Sequence, residues 1–295
     1  MKHLHDWRGR LLPYPKRQRT IILSLFVCVC MVFQSAHAQT SVHLGIIPYL
    51  SPRNLVKTYT PMKEYLENSL GRRVEIYSSG NFRQFQSDAC RNDFDIVITA
   101  AHFARILQQK YRFKPLLKFA DHGRALIVTS AIHPLSGLEA LHHQTIAVPD
   151  KLSLAAIVTL SYLKNQGLDS ASDFTLMLVP SFASAILAVQ KGEAAAAITA
   201  GGVLEKMPAD VRQAVTVLAD AGNYPNPVML AAPGTDNRNV RIIRSAMLKI
   251  GSNESLYDKV LEPVGLGRFT PATPRDMSRL DAYLPLTRQI LDGRI

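Results

Sequence analysis

Short apolar runs alternate with longer stretches of helical period along most of this chain. Val42 to Ile47 reads as a short buried strand that stops at Pro48, which has no N–H to give a sheet ladder. A helical pattern follows over Leu55–Leu70, then a strand at Val74–Tyr77. Asn81–Arg91 reads as a helix with Phe82, Phe85 and Ala89 on one face. Asp95–Thr99 is a third strand, Phe103–Tyr111 a helix and Lys114–Phe119 a strand. A second unit begins near Arg124, with strands at Ala125–Thr129, Thr145–Val148 and Leu176–Val179. Pro149 and Pro180 punctuate the last two strands as Pro48 does the first. Between them lie a turn and short helix at Pro134–Leu141 and a helix over Ser153–Gln166 closed by Gly167. Ser181 caps a helix through Gln190. Ala194–Thr199 is expected to be a strand despite the helix propensity of alanine, because it follows a complete helix and a Lys-Gly-Glu turn.

Val215–Leu218 is expected to lead back through an irregular connection, Tyr224-Pro225-Asn226-Pro227, to a strand at Val228–Ala231. Helices near Val240–Ile250, Ser255–Leu261, Arg275–Leu280 and Leu286–Leu291 close the chain. Alternating strands and helices imply sheets that are mostly parallel and covered on both faces. The order predicts two lobes: residues 39–123 with 225–295, and residues 124–224. The crossovers near Asp121–Arg124 and Asp220–Asn226 then become hinges around a cleft.

The first 38 residues stand apart. Arg8, Arg10, Lys16, Arg17 and Arg19 precede an uncharged apolar run, Ile21–Phe33, and Ala36-His37-Ala38 is a small-x-small cleavage site. This is the pattern of a Sec-type signal peptide, and the run is short against the roughly 20 residues of a spanning helix. Its removal lowers the net charge from +11 to +6, since 6 of 34 Lys and Arg and 1 of 23 Asp and Glu leave with it. Mild dispersed basicity suits an anion binder or an anionic membrane surface and gives no footprint for nucleic acid. Only Cys90 remains of three cysteines, so the exported chain has no internal disulfide.

Several stretches, in order, resemble one family, the periplasmic substrate-binding proteins of phosphate, phosphite and phosphonate ABC transporters. They are Gly45-Ile46-Ile47-Pro48-Tyr49-Leu50-Ser51-Pro52, Pro61-Met62-Lys63-Glu64-Tyr65-Leu66 and Asp93-Phe94-Asp95-Ile96-Val97. Leu187 to Glu193 and Leu266-Gly267-Arg268-Phe269-Thr270-Pro271-Ala272 complete the set. The resemblance implies an α/β, two-lobed type II periplasmic-binding-protein fold that captures its ligand in a hinged cleft. It implies a periplasmic monomer that needs no cofactor and works with an ABC permease. Two further readings are a ligand-sensing accessory of a membrane sensor kinase, with a non-phosphorus oxyanion such as arsenite, and an enzyme on the same fold. The chain carries no nucleophile elbow, Walker A, Gly-x-Gly-x-x-Gly or His-Glu-x-x-His pattern to support an enzyme.

Candidate cleft residues follow from the rule that ligands of α/β sheets sit beyond the carboxyl ends of strands. Tyr49 and Ser51 follow the first strand, and His102 and Phe103 the third, where a histidine would bind an anion as imidazolium. Arg124, Tyr224 and Asn226 sit at the crossovers. Ser181 and Ser153 begin helices. In the family a Ser/Thr-rich turn at a helix start holds the anion. Here the matching stretch reads Asp150-Lys151-Leu152-Ser153-Leu154, leaving Lys151, Ser153 and the amides of the turn as its anion-binding groups. Where the family has an Asp for an amino group, this chain has Ala195, which argues against an aminophosphonate.

Overall fold

The structure, a computed structural model, describes residues 41–293. The expected signal peptide, residues 1–38, lies outside the described residues. The first lobe is laid down as β1 (Val42–Ile46), α1 (Pro52–Leu70), β2 (Val74–Tyr77), α2 (Phe82–Cys90), β3 (Ile96–Thr99), α3 (Ala101–Tyr111) and β4 (Lys114–Phe119). The chain crosses out on β5 (His122–Ser130). It then builds β6 (Thr145–Val148), α4 (Leu154–Asn165), β7 (Thr175–Leu178), α5 (Phe182–Gln190), β8 (Ala196–Ala200), α6 (Gly201–Glu205) and α7 (Ala209–Gln213). It returns on β9 (Val215–Pro225) to β10 (Val228–Ala231), α8 (Asn237–Gly251), α9 (Glu254–Val260), β11 (Phe269–Pro271), α10 (Pro274–Arg279) and α11 (Leu284–Leu291).

Two sheets result. The first runs β11-β4-β10-β3-β1-β2 and the second β7-β6-β8-β5-β9. In the first, β1 to β4 point one way and β10 and β11 the other; in the second, β5 alone is reversed. The expectation of mostly parallel sheets therefore holds for strand direction and needs correcting for pairing. Only β2-β1-β3 and β7-β6-β8 are bonded in parallel, because each lobe takes into its sheet a strand arriving from the other lobe.

Strand alternation feeds both faces of each sheet. In β1, β3 and β10, the residues Leu44, Ile96, Ile98 and Met229 pack on Tyr59 and Met62 of α1 and Met247 of α8. The intervening Ile47, Val97 and Leu230 meet Phe85 of α2, Phe103 of α3 and the carboxyl-terminal Leu280 and Leu284. The second sheet divides likewise, with Ile127, Val148 and Ile198 against α4, and Leu126, Val128 and Ala197 against Ile186 and Val189 of α5. β8 is the central strand of that sheet, and its Ala197 packs in the cluster under α5.

The return connection differs from the irregular one expected at Tyr224–Pro227. β9 continues through Pro225 and pairs antiparallel with β5, His122 opposite Pro225, Gly123 opposite Tyr224 and Arg124 opposite Asn223. Register shifts near Ala221 and Leu218 bend this ribbon, and Gly222 at φ +111° turns the first of them. The expected lobe boundaries, at 123/124 and 224/225, thus face each other across one two-stranded ribbon. Tyr224 and Pro225 have turn composition, but β5 offers them an edge to pair with.

Candidate ligand-binding site

A pocket of about 130 Å³ lies between the lobes. Pro48, Tyr49, Gly80, Asn81 and Phe82 line it from the first lobe; Pro149, Asp150, Val179, Pro180, Ser181 and Phe182 line it from the second. Each group follows the carboxyl end of a strand, β1 and β2 on one side and β6 and β7 on the other, as the crevice rule requires. The two sides repeat one another. Pro48 follows β1 as Pro149 follows β6, and Asn81-Phe82 begins α2 as Ser181-Phe182, one hundred positions later, begins α5.

Both helices open on the pocket and both are capped. The Asn81 side chain accepts from the Gln84 amide at 2.8 Å, and the Ser181 hydroxyl accepts from the Ser184 amide at 3.1 Å. These caps satisfy the third amide of each helix, and the first two have no partner within a helix. Each N-terminus carries about half a positive charge from the aligned peptide dipoles. Two such ends, one from each lobe, make the pocket receptive to an anion.

One carboxylate already stands there. Asp150 Oδ2 accepts from the Phe82 amide at the head of α2 at 3.3 Å, and Oδ1 accepts from the Leu152 amide at 2.8 Å. Burial raises the Asp150 carboxyl above the usual carboxylate range, against the pull of these two bonds and of the Arg83 charge.

Just behind Asp150 the lobes meet through an apolar plug. Leu152, Leu154 and Ile157 of the second lobe belong to the cluster of Phe103, Leu107 and Leu284 in the first. Helix α4 can reach both lobes because it is buried on nearly every side: Leu154 and Ile157 serve the first, and Ala155, Ala156, Leu160 and Leu163 the second. His102 Nε2–H donates to the Leu152 carbonyl at 3.1 Å, so the Nδ1 lone pair is left buried without a partner.

Of the ten residues expected in the cleft, the structure brings Tyr49 and Ser181 to this pocket. The Tyr49 hydroxyl is tied back to that of Tyr59 at 3.1 Å, and burial pushes its pKa up to about 12. Ser51 is exposed at the start of α1, and its side chain makes no cap bond. His102 and Phe103 are fully buried. Burial pushes the His102 pKa down to about 3, so its expected role as an imidazolium is corrected to a neutral donor within the core. Arg124 pairs with Asp220 at 2.8 Å across the ribbon, outside the pocket lining. Ser153 is 2% exposed and its hydroxyl accepts from the Ala156 amide at 3.2 Å, a cap covered by the plug. Lys151 flanks Asp150, half-buried and outside the lining. The Tyr224 ring lies over Gly123, and buried Asn226 donates to the Leu266 carbonyl at 3.4 Å. The sequence reading missed Gly80, Asn81, Phe82 and Asp150 as lining residues. The signal for the first three was present in the repeated spacing of cap and phenylalanine. Among the described residues no group of three or more His, Cys, Asp and Glu side chains is placed to hold a metal ion.

Two lobes joined by a ribbon, with helix N-termini facing a small pocket, define a type II periplasmic-binding-protein fold. The family described as ABC transporter, phosphonate, periplasmic substrate-binding protein matches residues 44–277, and the chain belongs to it. Among solved structures, it is similar to a binding protein component of an ABC phosphonate transporter from Pseudomonas aeruginosa. That match has a TM-score of 0.77 at 15% identity and covers 86% of this chain and 88% of that one. PhnD1 of Prochlorococcus marinus, solved with methylphosphonate, gives a TM-score of 0.73 at 14% identity over 85% and 98% of the two chains. A Xanthomonas citri protein solved with chloride gives 0.71 at 18% identity over 86% and 99%. No curated protein matches the sequence.

Proposed function

We propose that this protein is exported to the periplasm, captures one small phosphorus oxyanion in the pocket between its lobes, and hands it to an ABC permease. The observation that carries the reading is the convergence of α2 and α5, one helix from each lobe, on one polar pocket of ion size. Ser181 contributes a hydroxyl, the first turns of the two helices contribute amides, and the body of Tyr49 forms a wall. Family membership supports the transport role. The β5–β9 ribbon is the hinge in this reading, bending at His122–Arg124 and Asn223–Pro225, beyond the β8 pairing, while the lobes stay rigid.

Thermal unfolding of the purified protein with phosphate, phosphite, methylphosphonate, sulfate and arsenite tests the ligand class. A ligand at a hundred times its dissociation constant adds about 2.7 kcal/mol. A shift with a phosphorus oxyanion that Ser181→Ala weakens is the expected result. A shift with sulfate or arsenite alone sinks the assignment.

A further inference from the structure

The Asp150 carboxylate lies across the lobe boundary on the Phe82 amide, with its second oxygen held by the Leu152 amide. Its place in the second lobe corresponds to that of Tyr49 in the first, one residue beyond the proline that ends a strand. Asp150 therefore presents to a pocket built from helix N-termini the one kind of charge those termini attract. Arg83 on α2, whose charge acts on this carboxylate, directs its guanidinium hydrogen bonds to the Ile290 carbonyl at 2.7 Å and to that of Leu291. The carboxylate is thus balanced by the Leu152 amide, the Phe82 amide of α2 and the Arg83 charge. The α5 side of the pocket, with the Ser181 hydroxyl, faces it without an acidic group of its own.

An oxyanion in this space meets the amides of α5 on one side and a fixed negative charge on the other. Each charge on the ligand is repelled by that carboxylate at short range in a partly buried setting, so a doubly charged ligand meets about twice the repulsion of a singly charged one. The alternative for the ligand is to take the Phe82 amide for itself, which displaces Asp150 and leaves it to be resolvated.

Resting on the oxyanion reading above, we propose that Asp150 is a specificity-determining residue. It occupies the α2 amide an oxyanion would otherwise take, so the pocket admits singly charged oxyanions in preference to doubly charged ones. The test uses hypophosphite and phosphite, two small phosphorus oxyanions that carry one and two charges at pH 8.5. Calorimetric titration of the wild type at that pH is expected to show tighter binding of hypophosphite. Asp150→Asn keeps the side-chain volume and removes the charge. It is expected to raise phosphite affinity at least tenfold and hypophosphite affinity by a smaller factor, so that the preference narrows or inverts. Asp150→Ser, which can still accept from the Leu152 amide, provides a second variant should the first lose its melting transition. If wild type binds phosphite and neither substitution moves the ratio of the two affinities, the role of Asp150 falls while the oxyanion reading stands. If phosphite affinity drops in both variants, Asp150 is a ligand contact and the proposal is overturned. If no oxyanion binds wild type or variants, the oxyanion reading fails and takes this inference with it.

Discussion

The imidazole of His102, on the first turn of α3, donates its Nε2 proton to the carbonyl of Leu152 in the other lobe at 3.1 Å, fully buried. Burial holds this histidine near a pKa of about 3, well below its usual 6.5, so the native state keeps it neutral. Below pH 6.5 the unfolded chain takes up a proton that the folded chain refuses. The stabilisation is complete above pH 6.5 and drains away as the pH falls toward 3. At 1.36 kcal/mol per pH unit the loss between pH 6.5 and 4.5 is roughly 2–3 kcal/mol. For a chain of this size that lowers the melting temperature by about 5–10 °C. His102→Gln keeps a donor at a similar reach and does not titrate, so its melting temperature is expected to be flatter over that range. Asp276 does not interfere there. Burial raises its carboxyl, but hydrogen bonds from Lys118 and from the Thr273 side chain and amide outweigh this and hold it at about 2. Its contribution is lost only below the usual carboxylate range. Equal slopes for wild type and His102→Gln would remove His102 as the source.

Gly123 and Tyr224 face each other across the ribbon that joins the lobes. A Cβ built on Gly123 would stand 2.3 Å from the Tyr224 ring, far inside contact distance. The ring cannot retreat easily, because it packs on clusters belonging to both lobes. Gly123→Ala should therefore cost about 1–3 kcal/mol by overpacking. Combining it with Tyr224→Leu, which removes part of the ring's bulk, should recover more than the two separate effects predict. Denaturant unfolding of the four proteins measures the coupling, and strict additivity would contradict this packing.

Much of this fold was legible because its signal is local. β1, β3, β6 and β10 are short runs of mostly apolar residues, three of them ended within two residues by Pro48, Pro149 and Pro233, and α1 and α8 carry long apolar faces. Helices α6 and α7, at five residues each, are too short for a period to show, as is the three-residue β11. The long β9 was hidden for another reason. Gly222, Asn223 and Pro225 belong to a strand only because β5 lies beside them, and sequence proximity does not reveal that. The site divides in the same way. Tyr49 and Ser181 were found by the rule of strand, proline and pocket. His102, Phe103 and Ser153 obey the same positional rule, yet Leu152, Leu154 and Ile157 from the other lobe seal them into a core. Asp150 was read only as a departure from the family's serine turn, and its partner, the Phe82 amide, lies 68 residues away.

Asn81 and Ser181 cap their helices, and substitution can separate that role from the ligand contact proposed for Ser181. As caps, each should cost about 1 kcal/mol when replaced by alanine, and only a few tenths when replaced by glycine. If Ser181 also contacts the ligand, both replacements delete the same hydroxyl and should lose similar affinity despite their different stabilities. A hydrogen bond to a charged group contributes about 1.5–3 kcal/mol, which is roughly a 10- to 150-fold change in dissociation constant. Melting curves and titrations with the oxyanion that binds best measure the two effects. Affinity that merely follows stability, with Ser181→Gly close to wild type, would leave Ser181 as a cap alone.

Cys90 closes α2 at the end opposite to the pocket, about 12 Å along the helix axis from Phe82 at 1.5 Å per residue. Burial raises its thiol above the usual range, against the opposing pull of hydrogen bonds with Tyr111 and Gln86 and of the charges on Lys110 and Arg91. A half-buried thiol that resists ionisation is a poor nucleophile and a poor ligand for arsenic, since the thiolate is the reactive form. Thiol labelling at pH 7.5 should therefore run well below the rate of an unfolded control, and arsenite should leave the melting temperature unchanged. Cys90→Ser should retain wild-type oxyanion affinity within about twofold, as expected for distant sites with no shared partner. Fast labelling together with an arsenite-induced shift that Cys90→Ser abolishes would move the ligand site from the mouth of α2 to its far end. It would also replace oxyanion capture by thiol coordination as the chemistry of this protein.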